Sequence, residues 1–117
     1  MEKEAVISAL AALSQETRLD VFRRLVRAGA SGLPAGELAD EFGVPPATLS
    51  FHLKELRNAQ LVTSDREGRS IRYAPDFGAI SDVVAYLGEN CCREDSCCDA
   101  DAVGTEPPTP DPSKGEN

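Results

Sequence analysis

The sequence has no tryptophan, a single histidine and only 5% aromatic residues, so any core must be aliphatic, built from Leu, Val, Ile and Ala. It has no Ser–His–Asp set, no glycine-rich phosphate loop and no paired-histidine motif, which leaves an enzymatic reading without its usual groups. No apolar run approaches the ~20 residues that span a bilayer, and the opening Met1-Glu2-Lys3-Glu4 has no apolar signal core. The expected location is therefore the cytoplasm, with no membrane partner. Positive net charge is missing too. The chain carries −8, which taken alone argues against nucleic acid.

What is present changes that first impression. Residues 91–117 hold 2 basic and 7 acidic side chains, whereas residues 44–75 hold 5 basic and 3 acidic ones. The acidity is concentrated in a tail, and the basic segment is internal. At 117 residues the chain is long enough for one domain.

The basic segment begins with the stretch Val44 to Leu61. Pro45 and Pro46 supply the fixed φ that a helix start accepts. Leu49, Leu53 and Leu56 then recur at helical spacing and define an inner face. The opposite side carries Ala47, Ser50, Phe51, Lys54 and Asn58, with Arg57 at its edge and Thr48 near the helix start. Small, hydroxyl, aromatic, cationic and amide groups together on one outer face suit contact with base-pair edges.

The flanking segments support that reading. Glu2 to Leu13 reads as a helix with Val6, Ala9, Leu10 and Leu13 on its apolar stripe. Ser14 is a plausible N-cap for a second helix running to about Ala28, with Leu19, Phe22, Leu25 and Val26 inward. Arg23, Arg24 and Arg27 read as its solvated face. Pro34 to Phe42 is a short third helix, with Leu38 and Phe42 inward and Gly43 as its stop. A short helix, a glycine turn and a helix with a polar outer face form a helix-turn-helix. Leu61–Asp65 and Ser70–Tyr73 are β-prone runs flanking a turn at Glu67-Gly68, so a hairpin wing follows. Arg66 and Arg69, beside its tip, are positioned to meet phosphates. Asp76 can cap a last helix from Phe77 to about Asn90, with Ile80, Val83, Val84 and Leu87 as its stripe. The expected fold is mainly α with a two-stranded β-hairpin wing: a winged helix-turn-helix, dimeric through its N- and C-terminal helices and matched to two-fold, double-stranded operator DNA. Residues 1–90 would form this domain.

All four cysteines fall within eight residues, Cys91-Cys92-Arg93-Glu94-Asp95-Ser96-Cys97-Cys98. Thiolates select soft or borderline metals and metalloids. Adjacent cysteines do not wrap an ion as a spaced zinc knuckle does. A pyramidal centre needing three thiolates, such as trivalent arsenic or antimony, fits better; a structural zinc site and a redox pair remain open. Residues 91–98 would thus form a sensing segment. Residues 99–117, acidic, proline-rich and poor in apolar groups, read as a disordered tail. The lone His52 lies towards the leucine face of its helix and reads as a half-buried histidine bonded to backbone.

With these residues in view, the chain resembles the ArsR/SmtB family of winged-helix, metal-sensing repressors. The resemblance is carried by Leu13-Ser-Gln-Glu-Thr-Arg-Leu-Asp-Val-Phe-Arg-Arg-Leu25, Gly36-Glu-Leu-Ala39, Thr48-Leu-Ser-Phe-His-Leu-Lys-Glu-Leu56, and Arg66-Glu-Gly-Arg69 followed by Tyr73. It implies a homodimer that binds operator DNA and releases it on binding metal. The family's third-helix Cys-x-Cys is absent, since Glu37-Leu38-Ala39 stands there, and so is the last-helix His/Asp set of zinc sensors. What remains is similar to an arsenic-responsive branch with a cysteine pair at the end of the last helix. By that resemblance Cys91 and Cys92 are the pair and Cys98 the third ligand, with Cys97 as the alternative. Arsenite or antimonite would be the inducer; an organic arsenical, cadmium, zinc or thiol oxidation is the alternative signal.

Overall fold

The computed structural model describes residues 1–94. Its elements run α1 (Lys3–Leu13), α2 (Glu16–Ala28), β1 (Leu33–Pro34), α3 (Ala35–Phe42), α4 (Pro46–Asn58), β2 (Val62–Glu67), β3 (Ser70–Pro75) and α5 (Phe77–Gly88). The chain divides into two units, Met1–Val84 and a second beginning at Ala85, whose described part is residues 85–94. Cys97, Cys98 and the tail 99–117 lie outside the described residues. Among those described, no helix is long and apolar enough to cross a membrane.

The core of the first unit forms around α4. Leu49, Leu53 and Leu56 are buried on its inner face, and Leu25 and Val21 of α2, Leu38 of α3 and Leu61 just beyond the helix are likewise fully buried. Each such side chain contributes about 1.5–3 kcal/mol on burial. Helices α1, α2 and α3 all pack against α4. Pro45 is its N-cap and Pro46 occupies the first turn, so the two prolines start the helix as their chemistry requires.

The wing is the expected antiparallel hairpin, with Val62 paired to Pro75 and Glu67 to Ser70. Its loop is therefore Gly68-Arg69, one residue beyond the Glu67-Gly68 turn expected from the sequence. Gly68 has φ 60° while Arg69 keeps a negative φ, the pattern of a two-residue turn with glycine in its first position. A third strand was not foreseen: β1 pairs with β3 through Leu33–Tyr73 and Pro34–Arg72, giving the sheet order β1-β3-β2.

Several expected faces are rotated. In α1 the buried residues are Val6, Ala9 and Ala12, whereas Leu10 is 42% exposed. The helix turns its small residues inward, which lets it approach its neighbours closely. In α2, Val21 joins Phe22 and Leu25 inside, while Leu19 and Val26 remain exposed. Ser14 does not cap α2. It closes α1, its hydroxyl donating to the Ala11 carbonyl at 2.7 Å, and Gln15 caps α2 by accepting from the Arg18 amide at 2.8 Å. Pro34 is the N-cap of α3, which starts at Ala35, and Phe42 is half-buried. Arg24 is not simply solvated, since its Nε lies 2.7 Å from Glu41 Oε2 of α3. Helix α5 is capped by Asp76, whose Oδ1 accepts from the Ala79 amide at 3.1 Å, and it ends at Gly88. Ala79 and Val83 are its buried residues; Val84 and Leu87 of the expected stripe are exposed.

Candidate nucleic-acid interface and cysteine segment

The outer face of α4 is arranged as its sequence indicates. Ala47, Thr48, Ser50, Phe51, Lys54 and Arg57 are all exposed. Phe51 shows 55% of its surface, unusual for a large aromatic side chain on a well-packed helix. It stands edge-on to the His52 ring, with centroids 5.7 Å apart. No regular position on this helix could point both Phe51 and Leu53 inward, because the leucine stripe already takes that side.

The cations of this region fall into two groups. Arg72, in β3, is committed within the fold: its Nε lies 3.1 Å from Glu67 Oε1, and its Nη1 donates to the carbonyls of Ser31 (3.2 Å) and Gly32 (3.1 Å). It ties the α2–α3 loop to the sheet. Arg66 and Arg69 at the tip are exposed, and Arg66 makes only a long 3.5 Å contact to the Gly68 carbonyl. Among the described residues, Lys54, Arg57, Arg66 and Arg69 take part in no ion pair. Among the described residues, no ion pair thus compensates the four cations on the helix face and wing tip, despite the acidic total.

His52 is 9% exposed, and its partner is a side chain where backbone was expected. Arg18 Nη1 lies 3.3 Å from His52 Nδ1. Burial first, then the Arg18 guanidinium, lowers the imidazole pKa below its ordinary 6.5, partly offset by Glu55. Arg18 itself was not singled out by sequence reasoning; a partner 34 residues away leaves no local signal.

In the second unit the chain leaves α5 through a series of turns. The Cys91 amide donates to the Gly88 carbonyl at 3.0 Å, and the Arg93 amide to the Asn90 carbonyl at 3.2 Å. Asn90 and Cys92 both have φ 62°, a conformation that non-glycine residues seldom adopt. The Cys91 and Cys92 Sγ atoms are 3.3 Å apart. Cys91 is a free, exposed thiol, and Cys92 is disulfide-bonded. Among the described residues, no group of three or more His, Cys, Asp or Glu side chains is arranged to hold a metal ion.

Comparisons with known proteins agree with this architecture. A helix-turn-helix domain family matches residues 13–65. The chain is 42% identical over 69 residues to the HTH-type transcriptional regulator NmtR of Mycobacterium tuberculosis, covering 59% of this chain and 55% of that protein. It is 30% identical over 89 residues to the HTH-type transcriptional regulator YgaV of Escherichia coli, covering 76% and 88% of the two chains. An ArsR-like transcriptional regulator from Rhodococcus sp. RHA1 superposes with a TM-score of 0.66 at 31% identity, covering 78% of this chain and 82% of that one. With its helix order, hairpin wing and these likenesses taken together, the chain belongs to the ArsR/SmtB family of winged helix-turn-helix transcriptional regulators.

Proposed function

We propose that the protein is a cytoplasmic, homodimeric repressor that binds double-stranded operator DNA and releases it when arsenite or antimonite binds its cysteines. The observation that carries the DNA-binding part is the set of exposed cations, Lys54, Arg57, Arg66 and Arg69, which make no ion pair among the described residues and are arrayed with exposed Phe51 and Ser50 on α4 and the wing. In this reading Ala47, Thr48, Ser50, Phe51 and Lys54 meet the major groove, and Arg66 and Arg69 hold phosphates. Each phosphate contact contributes about 0.9 to the slope of log affinity against log salt. Arg66→Ala and Arg69→Ala are each expected to lower that slope by about one unit and weaken binding uniformly across sequences. Fluorescence anisotropy on DNA from upstream of the gene checks this, and unchanged slopes for both variants would rule out the wing contact.

Dimerisation is supported by the apolar side chains that α1 and α5 leave in solvent: Ile7 at 57%, Leu10, and Val84 at 64%. A carboxylate placed in an apolar interface costs several kcal/mol. Ile7→Glu and Val84→Glu are each expected to weaken self-association by ~100-fold or more in sedimentation equilibrium, with unchanged helical content. Dimers as tight as wild type from both variants would place the interface elsewhere.

For the sensing part, the support is the closeness of two sulfurs. With metal–sulfur bonds of about 2.3 Å, thiolates meeting at a right angle stand roughly 3.3 Å apart, and at a tetrahedral angle roughly 3.8 Å. The 3.3 Å between the Cys91 thiol and the disulfide sulfur of Cys92 already brings two sulfurs within the span that one such centre bridges. Cys98, or Cys97, would supply the third thiolate. A second reading, release on thiol oxidation, is favoured by the disulfide at Cys92; a sulfur in a disulfide is no thiolate ligand until reduced.

A further inference from the structure

We propose that Arg18 and His52 form a strut that holds the α4 recognition helix at its DNA-binding angle and couples that angle to α1. This rests on the DNA-binding reading above. The Arg18 guanidinium joins three elements. Its Nε donates to the Ala12 carbonyl in the last turn of α1 at 2.8 Å, and its Nη1 reaches His52 Nδ1 in the middle of α4 at 3.3 Å. Its own backbone amide is fixed by the Gln15 cap at the start of α2, at 2.8 Å. The base of the side chain is therefore held in place while its planar head bridges two other helices. An arginine fork can satisfy two acceptors in fixed geometry in a way a lysine cannot.

The chemistry of the bridge fixes the state of His52. Arginine only donates, so Nδ1 has to accept, and the neutral ring must carry its proton on Nε2. A protonated ring has no acceptor left and sets two cations against each other. The charged groups acting on the ring are Arg18 from α2 and Glu55 one turn further along α4, and α1 contributes only the Ala12 carbonyl, already held by Arg18. The folded state disfavours protonation because of burial and Arg18. The strut is therefore complete at and above the ordinary histidine range, near pH 6.5, and is lost only as the pH falls through the lowered folded value. His52 directly follows Ser50 and Phe51 on the same turn, so tilting it away from Arg18 swings the groove-facing residues.

A bare added charge and a broken strut have opposite signs. A new cation beside DNA strengthens binding as the pH falls; loss of the strut weakens it. The test measures operator affinity from pH 7.5 down to the lowest pH at which thermal melting shows the protein folded, for wild type, His52→Asn and His52→Leu. The asparagine Oδ1 can replace Nδ1 as acceptor and does not titrate. His52→Asn is expected to bind within about twofold of wild type at pH 7.5 and to lose the acid step. His52→Leu is expected to be roughly ten- to hundredfold weaker at pH 7.5, the range of one hydrogen bond to a charged group. An acid step retained in His52→Asn, tighter binding of wild type at low pH, or full affinity in a folded His52→Leu each overturns the strut. Because the chain has one histidine, nitrogen-15 chemical shifts of the free protein report its tautomer unambiguously. A neutral ring with the proton on Nε2 supports the strut, and a proton on Nδ1 overturns it. Should wild type bind no operator at pH 7.5, the repressor reading fails, and the tautomer still decides whether the bridge exists.

Discussion

Replacing Gly32 with alanine is expected to lower the unfolding free energy by about 3 kcal/mol or more, a large effect for one methyl group. Gly32 sits in the loop between α2 and β1 with φ 68°, a region where a side chain is strained by about 1 kcal/mol or more. The larger part comes from its neighbours. A Cβ at this position would stand 2.1 Å from the Tyr73 carbonyl oxygen, 2.8 Å from the Tyr73 carbonyl carbon and 3.0 Å from the Ala74 Cα. All three are backbone atoms of β3, so no side chain can rotate aside. The loop would have to lift from the sheet, breaking the Leu33–Tyr73 pairing and the bonds from Arg72 to the Ser31 and Gly32 carbonyls. Gly43→Ala is the control. Gly43 also has positive φ, 64°, in the left-handed helical region, but a Cβ there meets nothing within 4 Å, so only the backbone strain of about 1 kcal/mol applies. Urea unfolding of both variants separates clash from strain. In a domain of this size each kcal/mol corresponds to about 4–8 °C in melting temperature, so the two should differ by ~10 °C. Equal stabilities for the two variants would mean that the loop does not press on β3 as described.

That glycine also shows where the sequence is silent. The recognition helix could be read directly, because prolines fix its start and three leucines at helical spacing leave one possible outer face. Its exposed residues then follow by exclusion, and the hairpin follows from two β-prone runs around a glycine. By contrast, β1 is two residues long and exists through its pairing with β3; no periodicity can be detected over two positions. The same limit hides Arg18, whose partners lie on α1 and α4. The rotated faces have another cause. A helical stripe is broad, and its neighbours decide which edge is covered. Close packing selected Ala12 over Leu10 in α1, and Val21 over Leu19 in α2. For α5 the large side chains expected inside, Val84 and Leu87, are instead those left in solvent. Periodicity identified an apolar surface there without saying what covers it.

Cys91→Ser is expected to abolish arsenite-induced release while leaving operator affinity within about twofold of wild type. Moving a regulator from mostly bound to mostly free requires a ligand preference of about 10⁴-fold between its two states. A serine hydroxyl is a hard oxygen in place of a soft thiolate, and a three-thiolate centre that loses one sulfur retains little of that preference. The arsenite concentration for half-release should therefore rise by ~100-fold or more, read by anisotropy on operator DNA with the protein fully reduced by a phosphine. Reduction matters because Cys92 is disulfide-bonded in the structure while Cys91 is free. The two cysteines consequently separate the two signals. If arsenite is the inducer, reduced wild type responds and Cys91→Ser and Cys92→Ser both stay on DNA. If oxidation is the signal, peroxide releases wild type without arsenite, Cys92→Ser is blind to it, and Cys91→Ser responds normally, since its sulfur takes no part in the disulfide. Arsenite release by both serine variants at the wild-type concentration would remove the adjacent pair from the sensing site, and with it the role assigned to the 3.3 Å sulfur spacing.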